Sequence, residues 1–136
     1  MTPSTTIELA ASADLLRARV AARTLAAQSG LGVMDQTRFA TAVSELSRNA
    51  LSYAHDGVCE LQDVSDDSRI VLQAVVRDQG PGIANVELAL TDGFSSSGSL
   101  GAGLPGTQRL VDKFFIESTP AGTFVRIQMI RRRRVA

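Results

Sequence analysis

The sequence predicts an α+β fold, in which helices pack on one face of a mixed, mainly antiparallel sheet. Two patterns point to it: helix-forming segments cluster early in the chain, and the later apolar runs pair as hairpins. The chain has 136 residues, of which 44% are apolar and 21% charged, as is ordinary for one globular domain. We expect a single domain over residues 1–136, with a core at about 7–130 and a basic tail at 131–136.

Two helices are predicted in the first part of the chain. Residues 12–29 are rich in alanine, leucine and arginine, and the spacing of Leu16 and Val20 predicts that both face the core. A second helix is expected over residues 35–54, with Asp35 as its N-cap. Its buried stripe is predicted to be Phe39, Val43, Leu46 and Ala50.

The strands are predicted from short apolar runs bounded by turn residues. One further helix is expected between them, with Pro105 in its first turn, where the missing N–H of proline costs nothing. The expected bounds are 5–9 for a strand or extended arm, 58–64 and 69–77 for a hairpin, 104–113 for the helix, and 114–118 and 123–130 for a closing hairpin.

Composition excludes several classes of protein. Fourteen basic side chains balance fourteen acidic ones, which argues against a nucleic-acid binder. Lys113 is the only lysine and lies in Val-Asp-Lys-Phe-Phe, so there is no phosphate-binding loop of the Walker type. The single cysteine, Cys59, cannot form an intrachain disulfide, and no apolar run is long enough for a membrane span. We therefore expect a cytoplasmic protein without nucleic-acid or membrane partners.

One polar pair in the second helix is compatible with a role in metal binding and catalysis. Glu45 and Asn49 are four residues apart and so share one side of the helix. Such a pair is commonly a solvated face or a packing detail. Alternatively, the carboxamide oxygen is a suitable Mg²⁺ ligand where phosphates supply the rest, and the carboxylate can act as a base toward a hydroxyl.

Three glycine-containing motifs follow. Asp78-Gln-Gly80-Pro-Gly82 ends the most apolar strand, and a carboxylate there needs a donor, for which the amino group of a ligand is a candidate. Gly101-Ala-Gly103-Leu-Pro-Gly106 lacks the preceding strand of a dinucleotide fold, but a glycine loop entering a helix N-terminus favours anions. Gly122-Thr123 alone indicates only a hairpin.

In this order and spacing, the four motifs resemble the GHKL (Bergerat-type) ATP-binding fold, a two-layer sandwich shared by gyrase and histidine kinases. Glu45 to Asn49 matches the N-box, Asp78-x-Gly-Pro-Gly the first glycine box, Gly101-x-Gly103-Leu the lid glycines and Gly122-Thr123 the final box. The resemblance covers about residues 7–130. Three segments are most similar to RsbT-type serine/threonine switch kinases: Ser-Glu-Leu-Ser-Arg-Asn49-Ala, Asp92-Gly-Phe-Ser-Ser-Ser-Gly and Gly-Leu-Pro-Gly106.

The resemblance implies ATP and Mg²⁺ as cofactors and a role for each matching residue. Glu45 would be the catalytic base, and Asn49 would bind the metal ion. Asp78 would accept a hydrogen bond from the adenine amino group, and Thr123 would support that contact. Arg48 or Arg109 would help to neutralise the phosphates. The full set implied to bind the nucleotide is Asn49, Asp78, Gly80, Gly82, Ile83, Gly101, Gly103, Leu104 and Thr123.

The resemblance also implies an activity and partners. The RsbT-type switch kinases belong to bacterial partner-switching and stressosome pathways, and they phosphorylate STAS-domain antagonists. Once released, they bind a downstream regulator such as a phosphatase. Two alternatives stay open: an anti-sigma-factor-like module that sequesters a partner and uses ATP as a conformational ligand, and the catalytic domain of a histidine kinase. The basic tail is expected to be solvated, with an electrostatic dock for an acidic partner as its alternative.

Overall fold

Eight helices and strands follow one another in the described part of the chain. The computed structural model describes residues 4–53, 56–80, 90 and 103–133. In chain order the elements are β1 (Ser4–Leu9), α1 (Ala13–Ser29), α2 (Val33–Tyr53), β2 (Gly57–Asp63), β3 (Arg69–Asp78), α3 (Gly103–Leu110), β4 (Lys113–Thr119) and β5 (Gly122–Arg132).

The strands form one five-stranded sheet in the order β1-β2-β3-β5-β4. Every pairing among the described strands is antiparallel, so this part of the sheet is not mixed. The longest ladder joins β3 to β5 and runs from Arg69 opposite Arg132 to Asp78 opposite Thr123. The predicted α+β class with a mainly antiparallel sheet is confirmed.

The core lies between the sheet and the helices. Alternate residues of the central strands point to this side, as the two-residue period of a strand requires, and Leu72, Ile127 and Met129 are fully buried there. The predicted stripe of α2 is confirmed, because its members are at most 3% exposed and join the same cluster: Phe39, Val43, Leu46 and Ala50.

The prediction for the buried face of α1 is wrong. Leu16 and Val20 are 65% and 56% exposed, and the helix instead buries three alanines completely: Ala18, Ala22 and Ala26. These alanines recur every fourth residue, which places them on one face, and their small side chains let α1 approach its neighbours closely. Because α1 has apolar residues on two faces, its periodicity alone does not decide which face is buried.

Asp35 is not the N-cap of α2, because the helix begins two residues earlier, at Val33. The N–H of Gln36 already donates to the carbonyl of Gly32, at 2.9 Å. The carboxylate of Asp35 instead accepts two hydrogen bonds from the Arg131 guanidinium, at 2.9 and 3.0 Å. A partner 96 residues away in the sequence thus takes the place of a local cap.

The basic segment begins as a strand rather than as a solvated tail. Arg131 and Arg132 belong to β5, and Arg131 also donates to Asp112, at 2.7 Å. The hydrogen bond with Asp35, together with the charge of Asp112, raises the pKa of Arg131. The Arg133 side chain donates to the carbonyl of Asp66, at 2.7 Å. The described part of this segment therefore ties the sheet to α2 and to the β2–β3 turn.

The helix expected over 104–113 ends earlier, at Leu110. The N–H of Asp112 donates to the carbonyl of Gln128, at 3.0 Å, and its carboxylate accepts the N–H of Ile130, at 2.7 Å. Competition from the backbone of β5 therefore ends the helix, and β4 begins at Lys113.

We expect Arg131→Gln to lower the free energy of unfolding by about 1–2 kcal/mol. The change leaves the carboxylates of Asp35 and Asp112 without the cation that they share, at a position that solvent partly screens. Urea unfolding measures this. The matched control is Arg132→Gln, an exposed neighbour on the same strand, for which we expect a change below about 0.5 kcal/mol. Equal losses in the two variants would contradict the role given to Arg131.

We expect the stability of the protein to fall with rising pH above about pH 9 because of Cys59. Burial raises the pKa of this thiol to about 12, from an ordinary value of 9.0. The unfolded chain therefore loses a proton that the folded chain keeps, which lowers the unfolding free energy by about 1.4 kcal/mol per pH unit in that window. Cys59→Ala should show a shallower decline in urea unfolding between about pH 9 and 11, and identical slopes would refute this account.

Candidate active site

Asp78 lies at the end of β3, half-buried, and its position is fixed by two backbone donors. Its Oδ1 accepts the N–H of Gly80, at 3.0 Å, and the N–H of Thr123, at 3.3 Å. Both of these bonds go to Oδ1, and none from the described residues goes to Oδ2. The carboxylate is thus held by one oxygen and has the other available for a donor outside the described residues.

Thr123 reaches this carboxylate because the β3–β5 ladder places it directly opposite Asp78. Its hydroxyl lies 2.8 Å from the hydroxyl of Ser118, its cross-strand partner on β4. Sequence reasoning missed Ser118. The predicted hairpin contained the signal, since a turn at residues 120–122 already places positions 118 and 123 opposite each other.

Gly122 allows the two strands to meet at Asp78. It adopts a φ of 153°, and a Cβ built on it would lie 2.1 Å from the backbone carbonyl oxygen of Asp78. Any side chain at this position would therefore collide with backbone atoms that cannot rotate away. The Gly122-Thr123 motif thus combines a close approach of the two backbones with a backbone N–H that donates to the Asp78 carboxylate.

Glu45 and Asn49 lie one turn apart on α2, and both are partly buried. The Glu45 side chain is 12% exposed and forms an ion pair with Arg48, at 2.6 Å between Oε1 and the guanidinium nitrogen. Sequence reasoning placed Arg48 among possible phosphate ligands, whereas the structure pairs it with the candidate base. Among the described residues, no hydrogen bond engages the Asn49 carboxamide.

The remaining candidates divide into two groups. Gly103 is the first residue of α3, and Leu104, in the same turn, is 7% exposed and belongs to the core cluster, while α3 packs against α2. Gly80 is buried next to Asp78. The candidates Gly82, Ile83 and Gly101 lie outside the described residues, and their roles stay predictions.

The architecture relates these groups through α2. This helix contacts both β3 and α3, so the N-box residues lie on an element that touches the elements of the other motifs. No group of three or more His, Cys, Asp or Glu side chains suitable for a metal occurs among the described residues. The carboxamide oxygen of Asn49 is of the type that binds a hard metal ion together with oxygen atoms of a ligand.

The comparison with known families shows which family the protein belongs to. Residues 9–129, nearly the whole chain, match the family described as "Histidine kinase-like ATPase domain". The chain belongs to this ATPase family. Its membership confirms the resemblance drawn from the four motifs and with it an ATP-binding domain.

A curated member of the family gives the enzyme class. The chain is 44% identical over 118 residues to "Serine/threonine-protein kinase RsbT" of Bacillus subtilis (strain 168), covering 87% of this chain and 88% of that protein. The expected class of enzyme, a serine/threonine protein kinase, is confirmed by this similarity. Among the described helices, none has the length and hydropathy needed to cross a membrane.

Solved structures confirm the fold of the ATPase domain. One covers the RsbU and RsbW domains of Rv1364c from Mycobacterium tuberculosis, with a TM-score of 0.67 and 22% identity over 99% of this chain, which spans 34% of that one. Another is the mycobacterial sensor histidine kinase MprB, with a TM-score of 0.58 and 18% identity over 98% of this chain and all of that one.

We expect Gly122→Ala to destabilise the ATPase domain by at least about 2 kcal/mol and to weaken nucleotide binding, because the new methyl group displaces the Asp78 backbone. Gly32→Ala is the matched control, since a Cβ there has no heavy atom within 4 Å. We expect it to change stability by less than about 0.5 kcal/mol. Urea unfolding and nucleotide titration compare the two, and a neutral Gly122→Ala would contradict the contact.

Proposed function

We propose that this protein transfers the γ-phosphoryl group of ATP to a serine or threonine of a STAS-domain antagonist protein. The observation that carries the proposal is the carboxylate of Asp78, held by Gly80 and Thr123 with Oδ2 left for a donor. An adenine presents such a donor in its exocyclic amino group. The backbone at Gly80, with Gly82 and Ile83 of the same motif, would lie along the base.

The triphosphate needs positive charge, and the only lysine, Lys113, lies at the start of an edge strand. Asn49 would hold Mg²⁺ together with phosphate oxygens, and the ion would supply charge neutralisation. Backbone N–H groups at Gly101, Gly103 and Leu104 would complete the anion site at the start of α3. The Asn49 carboxamide, which makes no hydrogen bond within the described part of the chain, supports this assignment.

Glu45 would act as the general base. Its carboxylate would accept the proton of the substrate hydroxyl while that oxygen bonds to the γ-phosphorus and the bond to the bridging β,γ-oxygen breaks, releasing ADP. The ion pair with Arg48 orients the carboxylate but also holds it close to a cation. Arg48 would therefore have to release Glu45, or share it with the incoming hydroxyl, for transfer to occur.

The names of two relatives support a proposal about the partners. RsbT is named a serine/threonine-protein kinase, and the mycobacterial neighbour combines RsbU and RsbW domains in one chain. We propose a cytoplasmic, single-domain kinase of a partner-switching pathway, in which phosphorylation of a STAS-domain protein, as in the stressosome, releases the kinase to bind a downstream phosphatase or similar regulator.

A second function is a sequestering module that uses ATP as a conformational ligand. The Glu45–Arg48 ion pair favours it, since a base bound by a cation is less available to a hydroxyl. The two functions differ in one observable, because only the kinase produces phosphoserine or phosphothreonine on its partner.

We expect Asp78→Asn to weaken ATP binding about 10–100-fold in magnesium buffer, because the adenine amino group loses a charged acceptor. Glu45→Gln should bind ATP normally and transfer phosphate about 10²–10⁴-fold more slowly to a STAS-domain substrate. Asn49→Ala should abolish transfer. Calorimetry and labelled ATP measure the two steps.

The matched control is Glu117→Gln, the same change at an exposed position of β4, which should alter neither step. Normal ATP binding by Asp78→Asn would refute the adenine pocket. Tight ATP and STAS binding without transfer in the unaltered protein would select the sequestering module instead, and phosphohistidine would indicate a histidine kinase domain.

A further inference from the structure

The outward face of α1 carries apolar side chains that the fold does not use. Five large apolar side chains are exposed among the described residues, and four of them lie on α1 or at the start of α2: Leu16, Val20, Val33 and Met34. Leu16 and Val20 are more than half exposed, while the opposite face of the helix fills its share of the core with alanines. Burying leucine and valine side chains is favourable, so this face has unused binding energy.

These residues form a continuous stripe at helical spacing. We define the α1 stripe as the exposed residues Leu16, Arg19, Val20, Arg23 and Ala27. Their spacing of three and four residues places them in one row along the helix, about 16 Å long. Such a row of apolar and charged side chains is what a second helix packs against.

The charge of the stripe is positive. Arg19 and Arg23 lie within it, and the exposed Arg17 is adjacent. The only acidic residue of α1 is Asp14, whose carboxylate accepts the N–H groups of Ala10 and Ala11 and contacts Arg17. These backbone donors lower the pKa of Asp14, and the side chain is only 13% exposed. The complement of the stripe is therefore an acidic surface.

The stripe extends to the level of the candidate base. Only residues 30–32 separate α1 from α2, and the two helices pack together, so they run antiparallel. Leu16 lies 13 residues before the end of α1, and Glu45 lies 12 residues after the start of α2. Both therefore lie about 18–20 Å from the connecting turn along the helix axes.

The side chains of the α1 stripe disfavour two other binding partners, a second copy of the chain and a lipid surface. A second copy of the chain, related by a two-fold axis, would place Arg19 and Arg23 against the same arginines of its partner. A lipid surface is bound by helices with large aromatic and aliphatic side chains, whereas α1 has no aromatic residue and its stripe exposes only Leu16 and Val20 as large apolar groups.

We propose that the α1 stripe binds an acidic amphipathic helix of a partner protein. Leu16 and Val20 pack against the apolar face of that helix, and Arg19 and Arg23 pair with its flanking carboxylates. The interaction uses none of the residues assigned to ATP, so it stands independently of the proposed kinase reaction. It places the partner on the helix next to α2, level with Glu45.

A synthetic peptide tests the proposal directly. The probe is a fluorescent 18-residue helical peptide with leucine on one face and glutamate on its flanks, and its matched control carries lysine for every glutamate. We expect the acidic peptide to bind at least tenfold more tightly in fluorescence anisotropy, with NMR shift changes centred on α1. The preference should weaken as salt rises, because the paired charges are exposed.

Two double variants separate the apolar and the charged parts. Leu16→Ser with Val20→Ser should weaken binding of the acidic peptide at least tenfold, and Arg19→Glu with Arg23→Glu should reverse the preference toward the lysine peptide. The exposed positions of all four residues leave the core intact, which urea unfolding verifies. Phe115→Ser, a 43% exposed apolar position on β4, is the control and should bind like the unaltered protein.

Several results would overturn the proposal. Equal binding of the two peptides, or unchanged binding by the Leu16/Val20 variant, would remove the chemistry on which it rests. Self-association in sedimentation that this variant abolishes would assign the stripe to a second copy, and binding to phosphatidylglycerol vesicles that it abolishes would assign it to a membrane. Because ATP titration of the same variants should be unchanged, a failure here is distinguishable from a failure of the ATP site.

Discussion

The ladder between β3 and β5 is the interaction on which the rest of the molecule depends. Its register sets Thr123 opposite Asp78, and the lack of a side chain at Gly122 lets the two backbones meet there. The same strand, continued to Arg132, reaches the start of α2 through Arg131. A shift of one residue along this ladder would turn every side chain of β5 to the other face, so the core and the contact of Thr123 with Asp78 would be lost together.

The candidate site divides its tasks between the two layers. The sheet supplies a carboxylate fixed by backbone donors, an arrangement suited to recognising one rigid group such as a base. Helix α2 supplies Glu45 and Asn49, which we propose to act on the reacting phosphate and its metal ion. In the proposed function, recognition of the base and phosphoryl transfer therefore depend on different elements.

Much of this organisation could be predicted from local pattern. The order of elements, the stripe of α2 and the acidic residue at the end of the central strand follow from spacing that neighbouring residues determine. Two features could not be: the outward face of α1 and the Arg131–Asp35 pair. The first depends on how closely a helix of two apolar faces approaches the sheet, and the second joins residues 96 positions apart. The Ser118–Thr123 pair was missed although it required only the register of the predicted hairpin.

The burial of Cys59 has a practical consequence. It is the sole cysteine of the chain, it is fully inaccessible, and its thiol stays protonated at neutral pH, so maleimide reagents have no target on the native surface. A cysteine introduced at any exposed position would then carry a dye or spin label alone. The natural chain thus already serves as a background for distance measurements between its helices and whatever binds them.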